Sequence, residues 1–173
     1  MKYKYGSRRR ASEYEKDLVN FWKKHDIFQK SIDSRSADNA YVFYDGPPFI
    51  TGNPHHGTLL SSIVKDAVPR FWTMNGRRVE RKWGWDCHGL PAENFVEKQL
   101  GITDRREIGT KWSLAEYITK ARESMVANSE TWESTIDRVG RWVEFRGAYR
   151  TMDKDFMESV WWAFKTLYDK GRI

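Results

Sequence analysis

Two adjacent histidines, three glycines and three prolines crowd into YDGPPFITGNPHHGTLL, Tyr44 to Leu60. Glycine leaves the backbone bare enough to approach a ligand, and proline lowers the entropy of holding one loop shape. An apolar-periodic run follows the histidines, so a helix is expected to begin there. A helix N-terminus presents unpaired N–H groups and roughly half a positive charge, which attracts phosphate. His55, just before that run, can donate to a phosphate oxygen or to charge developing on it. Taken alone, the stretch also fits a Pro/Gly turn with two exposed histidines. A second stretch, WGWDCHGLPAE from Trp83 to Glu93, carries Asp86. A carboxylate there can pair with a substrate ammonium, or serve as a turn or cap residue. Cys87 and His88 are adjacent, and neighbours on most backbones point apart, which argues against a nucleophile–base pair. His55, His56, Cys87 and His88 offer four zinc ligands but no recognised ligand spacing. Cys87 and His88 are instead expected to be buried or to line a pocket.

Elements must hold these residues in place. YVFY, residues 41–44, is aromatic and β-branched and predicts a short buried strand. Leu59, Leu60, Ile63, Val64, Ala67, Val68, Phe71 and Trp72 keep helical spacing, and Asn75–Gly76 is a plausible stop. Pro69 lies inside that run and predicts a kink. RRVERKW, residues 77–83, predicts a second strand. Tyr41 to Trp83 therefore predicts a right-handed βαβ unit with a parallel sheet. His55 and Asp86 would then face one crevice at the carboxyl ends of neighbouring strands.

Around this unit the pattern is mostly helical. Ser12 and Glu15 suggest a capping box opening a helix over residues 12–25, followed by a polar loop, SIDSRSADNA. Pro91 suits the first turn of another helix. Ser113 and Glu116 form a second capping box, expected to open one long helix with Leu114, Tyr117, Ile118, Ala121, Met125, Trp132, Ile136 and Val139 on one side. RWVEFRGAY is irregular or strand-like, and residues 153–170 predict a last amphipathic helix. The fold class is thus α/β, with an N-terminal helix and linker over 1–40 and the first half of an open parallel-sheet domain over 41–173.

With 173 residues, 31% charged and 39% apolar, the chain can bury a core without staples and does not read as disordered. No apolar run reaches the ~18 residues of a membrane span. The basic start, MKYKYGSRRR, lacks the apolar stretch of a secretory signal, and a single cysteine excludes an internal disulfide. These features lead us to expect a cytoplasmic protein. The net charge of +6 and nine tryptophans suit an RNA or phosphate partner, and equally a solvated surface over a well-filled core.

Read together, the segments resemble class I aminoacyl-tRNA synthetases, and among them the isoleucine-specific branch. DGPPF-TG-PHHG is similar to the phosphate-binding segment with the His-x-Gly-His motif, and GWDCHGLP to the amino-acid-binding segment. FWKKHDIF and TMDKDFMESVWWAFKTLYDKG extend the resemblance over roughly residues 10–173. The resemblance implies a Rossmann-like catalytic domain that activates isoleucine with ATP and Mg²⁺ and transfers it to tRNA(Ile). It implies that His55 and Thr58 act on the phosphates and that Gly57 leaves space for the adenine. Gly46 and Pro47 would line the amino-acid and adenylate site, and Asp86 would hold the amino group. Thr58 stands where the motif has its second histidine; it can donate a hydrogen bond and cap the helix, but cannot become cationic. GLPAEN leans toward the leucine enzyme, and a valine- or leucine-specific relative is the alternative, beside a stand-alone nucleotide- or RNA-binding module. No Lys-Met-Ser-Lys-Ser-like segment, editing insert or anticodon-binding domain occurs in these residues. The expectation is the first part of a catalytic domain, cut near the insert and inactive alone.

Overall fold

The structure is a computed structural model that describes residues 9–50 and 52–173. The basic N-terminal stretch through Arg8, read above for a signal peptide, and Thr51 of the glycine–proline loop lie outside them. Helices α1 (Ala11–Lys24) and α2 (Ile27–Asp33) come first, then a short turn of 3₁₀ helix at Ala37–Asn39. Helix α3 (His56–Met74), strand β1 (Lys82–Trp85) and helix α4 (Leu90–Leu100) follow. Helices α5 (Leu114–Val126) and α6 (Ser129–Val139) lead to strand β2 (Glu144–Arg150) and helix α7 (Lys154–Asp169).

β1 and β2 form a two-stranded parallel sheet, pairing Lys82 with Glu144, Gly84 with Tyr149 and Trp85 with Arg150. A bulge between the first two pairs falls on β2, where Gly147 adopts a left-handed φ of 64°. The α/β class and parallel sense agree with the sequence reading. The strand at 41–44 does not form. Val42 and Tyr44 are exposed, and the residues flanking the segment pair only at isolated parallel bridges, Ala40 with Arg78 and Phe49 with Asp86. Likewise, regular pairing on the next segment starts at Lys82 and not at Arg77. The loop still runs alongside β1 in the expected direction, with α3 as the crossover.

Several local readings resolve differently. α1 starts at Ala11 with Arg10 as its N-cap and no side-chain cap bond, so Ser12 sits within the helix and the Ser12–Glu15 box does not form. The polar stretch from Ser31 begins inside α2. α3 runs through Pro69, whose ring is among the most buried groups of the chain. The Ser113–Glu116 box forms with both reciprocal bonds present, but the expected long helix breaks after Val126 and resumes at Ser129. Asp104 and Glu107 make a further box that opens the Arg105–Glu107 turn.

The core lies between the sheet and α4–α6. Trp83 and Trp85 alternate with Gly84 and so share one face of β1, their rings 5.2 Å apart edge to face. Ile50, Val96, Met125, Trp132 and Ile136 pack with them. Burial of apolar area drives this cluster at roughly 25 cal/mol per Å². α1 closes one side: Trp22 meets Trp142 edge to face at 5.4 Å, and Arg70 lies 4.1 Å over the Trp142 ring.

Candidate functional site

The loop between Tyr44 and α3 is pinned at both ends. Asp86 N–H donates to the Pro48 carbonyl at 2.9 Å, which seats the loop beside the carboxyl end of β1. At its far end the Gly52 carbonyl accepts from Trp132 Nε1 at 2.9 Å and Asn128 Nδ2 at 2.6 Å. Between these anchors lies an open cavity of about 440 Å³. Gly46, Pro47, His55, Gly57 and Thr58 all line it, so five of the six residues singled out from sequence converge on one space.

His55 is the N-cap of α3, in extended conformation, and no side chain caps this helix end. The N–H groups of this first turn, which includes the cavity-lining Gly57 and Thr58, have no acceptor within the helix. Thr58 lies within the first turn and does not cap the helix. A Cβ on Gly57 would sit 3.1 Å from His55 Cε1, so the bare glycine gives the imidazole its place over the helix start. His56 is the first helical residue and is exposed.

Three charged residues that the sequence did not single out form the wall beneath the loop. Asp45 is buried, and its carboxylate receives Arg141, while Lys65 Nζ lies 2.8 Å from Asp45 Oδ1. Lys65 also donates to the Gly46 carbonyl at 2.6 Å, and Arg141 donates to Ser62 Oγ at 3.2 Å. The Tyr149 hydroxyl donates to the Asp45 carbonyl at 2.8 Å; burial, then Asp45 and Asp86, push its pKa up, so it stays a donor. Lys65 and Arg141 both line the cavity. Two cations against one carboxylate leave an excess positive charge, which adds to that of the α3 terminus and suits an anionic ligand. Asp45 lies 96 positions before Arg141, so no periodicity within one element could reveal the pair.

Asp86 does not line this cavity. It follows β1 directly, half-buried, and its Oδ1 has only long contacts, 3.5 Å from His88 N and 3.5 Å from Thr151 Oγ1. Its carboxylate thus retains acceptor capacity one bridge away from Phe49. Cys87 is buried, and burial raises its thiol pKa, so it is not a thiolate nucleophile. Cys87 and His88 line a second cavity of about 260 Å³, with Met125 and Met152. Among the described residues no three His, Cys, Asp or Glu side chains gather where they could hold a metal ion. No helix there is long and apolar enough to cross a membrane.

Residues 17–173 match the family described as tRNA synthetases class I (I, L, M and V). The isoleucine–tRNA ligase of Wolbachia pipientis wMel is 52% identical over 159 residues, 92% of this chain and 14% of that protein. The isoleucine–tRNA ligase of Treponema denticola is 46% identical over 162 residues, 94% of this chain and 15% of that protein. The chain therefore spans about 14% of the length of the curated relatives it matches. A solved ternary complex of LeuRS, tRNA and LeuAMS from Agrobacterium radiobacter K84 shares the fold, with a TM-score of 0.57 and 21% identity over 92% of this chain and 18% of that one.

Proposed function

Because this chain belongs to the class I tRNA synthetases of the I, L, M and V group, we propose that it forms the nucleotide- and amino-acid-binding part of a cytoplasmic isoleucine–tRNA ligase. The reaction is activation of isoleucine by ATP to an aminoacyl-adenylate, with release of pyrophosphate, followed by transfer to tRNA(Ile). The observation that supports this best is the convergence of Gly46, Pro47, His55, Gly57 and Thr58 on one cavity at the open N-terminus of α3.

In this reading the α-phosphate of ATP sits against the first turn of α3. The free N–H groups and the His55 imidazole donate to its oxygens as charge builds during in-line attack by the isoleucine carboxylate. The Thr58 hydroxyl adds one neutral donor. The excess positive charge from Lys65 and Arg141 favours the same oxygens at longer range. Mg²⁺ enters with ATP as part of the substrate. Gly46 and Pro47 line the amino-acid side of the cavity, and Asp86, at the end of β1, pairs with the isoleucine ammonium. The chain's contribution is chiefly orientation and charge stabilisation.

The test is amino-acid-dependent exchange of pyrophosphate into ATP by the full-length gene product carrying these residues, with isoleucine, valine and leucine compared. Preference for isoleucine, and a loss of roughly 10²-fold in kcat for His55→Ala, is the expected outcome. ATP binding without exchange for any amino acid would instead favour a nucleotide-binding module.

A further inference from the structure

We propose that Lys65 is a positioning residue that sets the direction of the backbone at Gly46–Pro47, acting together with Tyr149 from the opposite side. This rests on the reading that Gly46 and Pro47 line the amino-acid pocket.

Consecutive carbonyls are tied by different elements. Asp45 O accepts from the Tyr149 hydroxyl of β2 at 2.8 Å, and Gly46 O accepts from Lys65 Nζ of α3 at 2.6 Å. A glycine is the residue least able to fix its own torsions, and Gly46 is exposed, so neither a Cβ nor packing holds it. The next residue, Pro47, has φ fixed near −65° by its ring. The torsions of Gly46 are therefore the free joint ahead of the proline pair, and the bond from Lys65 fixes where its carbonyl points. The ammonium is steadied by Asp45 Oδ1 at 2.8 Å, and that carboxylate is steadied by Arg141. On the other side Tyr149 can reach Asp45 only because β1 has a glycine beneath its ring. A Cβ on Gly84 would lie 2.2 Å from Tyr149 Cζ. Lys65 is 31% exposed in its side chain, so its ammonium is spent on backbone and carboxylate acceptors at the cavity wall, not sunk in the core.

The first readout needs no activity: amide hydrogen exchange of the full-length gene product, followed at Tyr41 and Asp86, whose N–H groups donate to the Arg78 carbonyl at 2.8 Å and the Pro48 carbonyl at 2.9 Å on either side of Gly46. Lys65→Met keeps the aliphatic stem and removes the donor. It is expected to speed exchange at these amides about tenfold while leaving α5 amides unchanged, and Lys65→Arg is expected to restore protection. Tyr149→Phe, which removes a single hydroxyl, reads the same amides if Lys65→Met fails to fold. The second readout is pyrophosphate exchange by the full-length gene product. Lys65→Met should raise the KM for the amino acid roughly tenfold, and Lys65→Arg, which keeps the charge and a donor, should bring it back to within about twofold of the wild type. A fall in melting temperature with unchanged KM and unchanged loop protection would make Lys65 merely structural and overturn the proposal. If the wild-type protein supports no exchange with any amino acid, the functional reading fails, and amide protection alone decides the role of Lys65.

Discussion

The carboxylate of Asp45 and the guanidinium of Arg141 form an ion pair in which each side chain is only 3% exposed. A charge this deep is tolerated because its partner and further hydrogen bonds replace water. Breaking the pair from one side leaves the other charge buried and alone. Asp45→Asn is therefore expected to cost about 3–5 kcal/mol, read from the urea midpoint. Replacing both residues, Asp45→Leu with Arg141→Met, should cost less than the sum of the single changes. Additive costs would show that the two groups do not interact.

Gly84 and Tyr149 make a second pair, one residue defined by the space the other leaves. Gly84→Ala would place a methyl group 2.2 Å from the Tyr149 ring, with the β1–β2 backbone pairing to resist a shift. The expected loss is about 1–3 kcal/mol, as for other over-packed sites. In a Tyr149→Ala background the same substitution should cost far less. Thermal denaturation of the four proteins decides this.

Asp86 is proposed to hold the substrate ammonium, and its long contacts leave it free to do so. Asp86→Ala should raise the KM for isoleucine roughly 10- to 100-fold, the size of a lost charge-assisted hydrogen bond. The KM for ATP should change little. Titrating each substrate separately in the exchange assay gives both numbers, and an unchanged isoleucine KM removes Asp86 from the pocket.

Glu107 provides a pH dependence away from the site. The Lys111 ammonium at 3.0 Å, then the N–H groups of Thr103 and Asp104, hold its carboxyl down at about 2, below the ordinary 4.5. The folded state thus binds this proton less readily than the unfolded chain. The stabilisation is complete above about pH 4.5 and is lost as pH falls toward 2. The gap in urea midpoint between the wild type and Glu107→Gln should be widest near neutrality and should close across that window. A gap that widens on acidification would contradict this assignment.

What could be read in the sequence was local. The Ser113–Glu116 box joins residues three apart, and its signal is complete within one turn. The Ser12–Glu15 box had the same spelling and failed because α1 begins two residues earlier than that box requires, with Arg10 at its cap. The break between α5 and α6 carries no glycine or proline, only Ala127 and Asn128, so composition does not mark it. YVFY has the composition of a strand, but the backbone that follows turns into the Gly46–Phe49 loop and pairs only at isolated bridges. Within the candidate site, the glycines, prolines and His55 were legible because their types announce a special backbone. Lys65, Asp45 and Arg141 were not. Each is an ordinary charged residue on its own segment, and only the fold brings them to one wall.

The Asp45–Arg141 pair also fixes an order of events in synthesis. At about 5–20 residues per second, a ribosome adds Arg141 roughly 5–20 s after Asp45, because 96 positions separate them. Once Met74 has been added the loop and all of α3 have been made, but the cation that closes the wall has not. The nascent glycine–proline loop cannot adopt its final shape on emergence, however stiff its prolines; the binding surface is completed from downstream, when β2 is delivered and docks against β1.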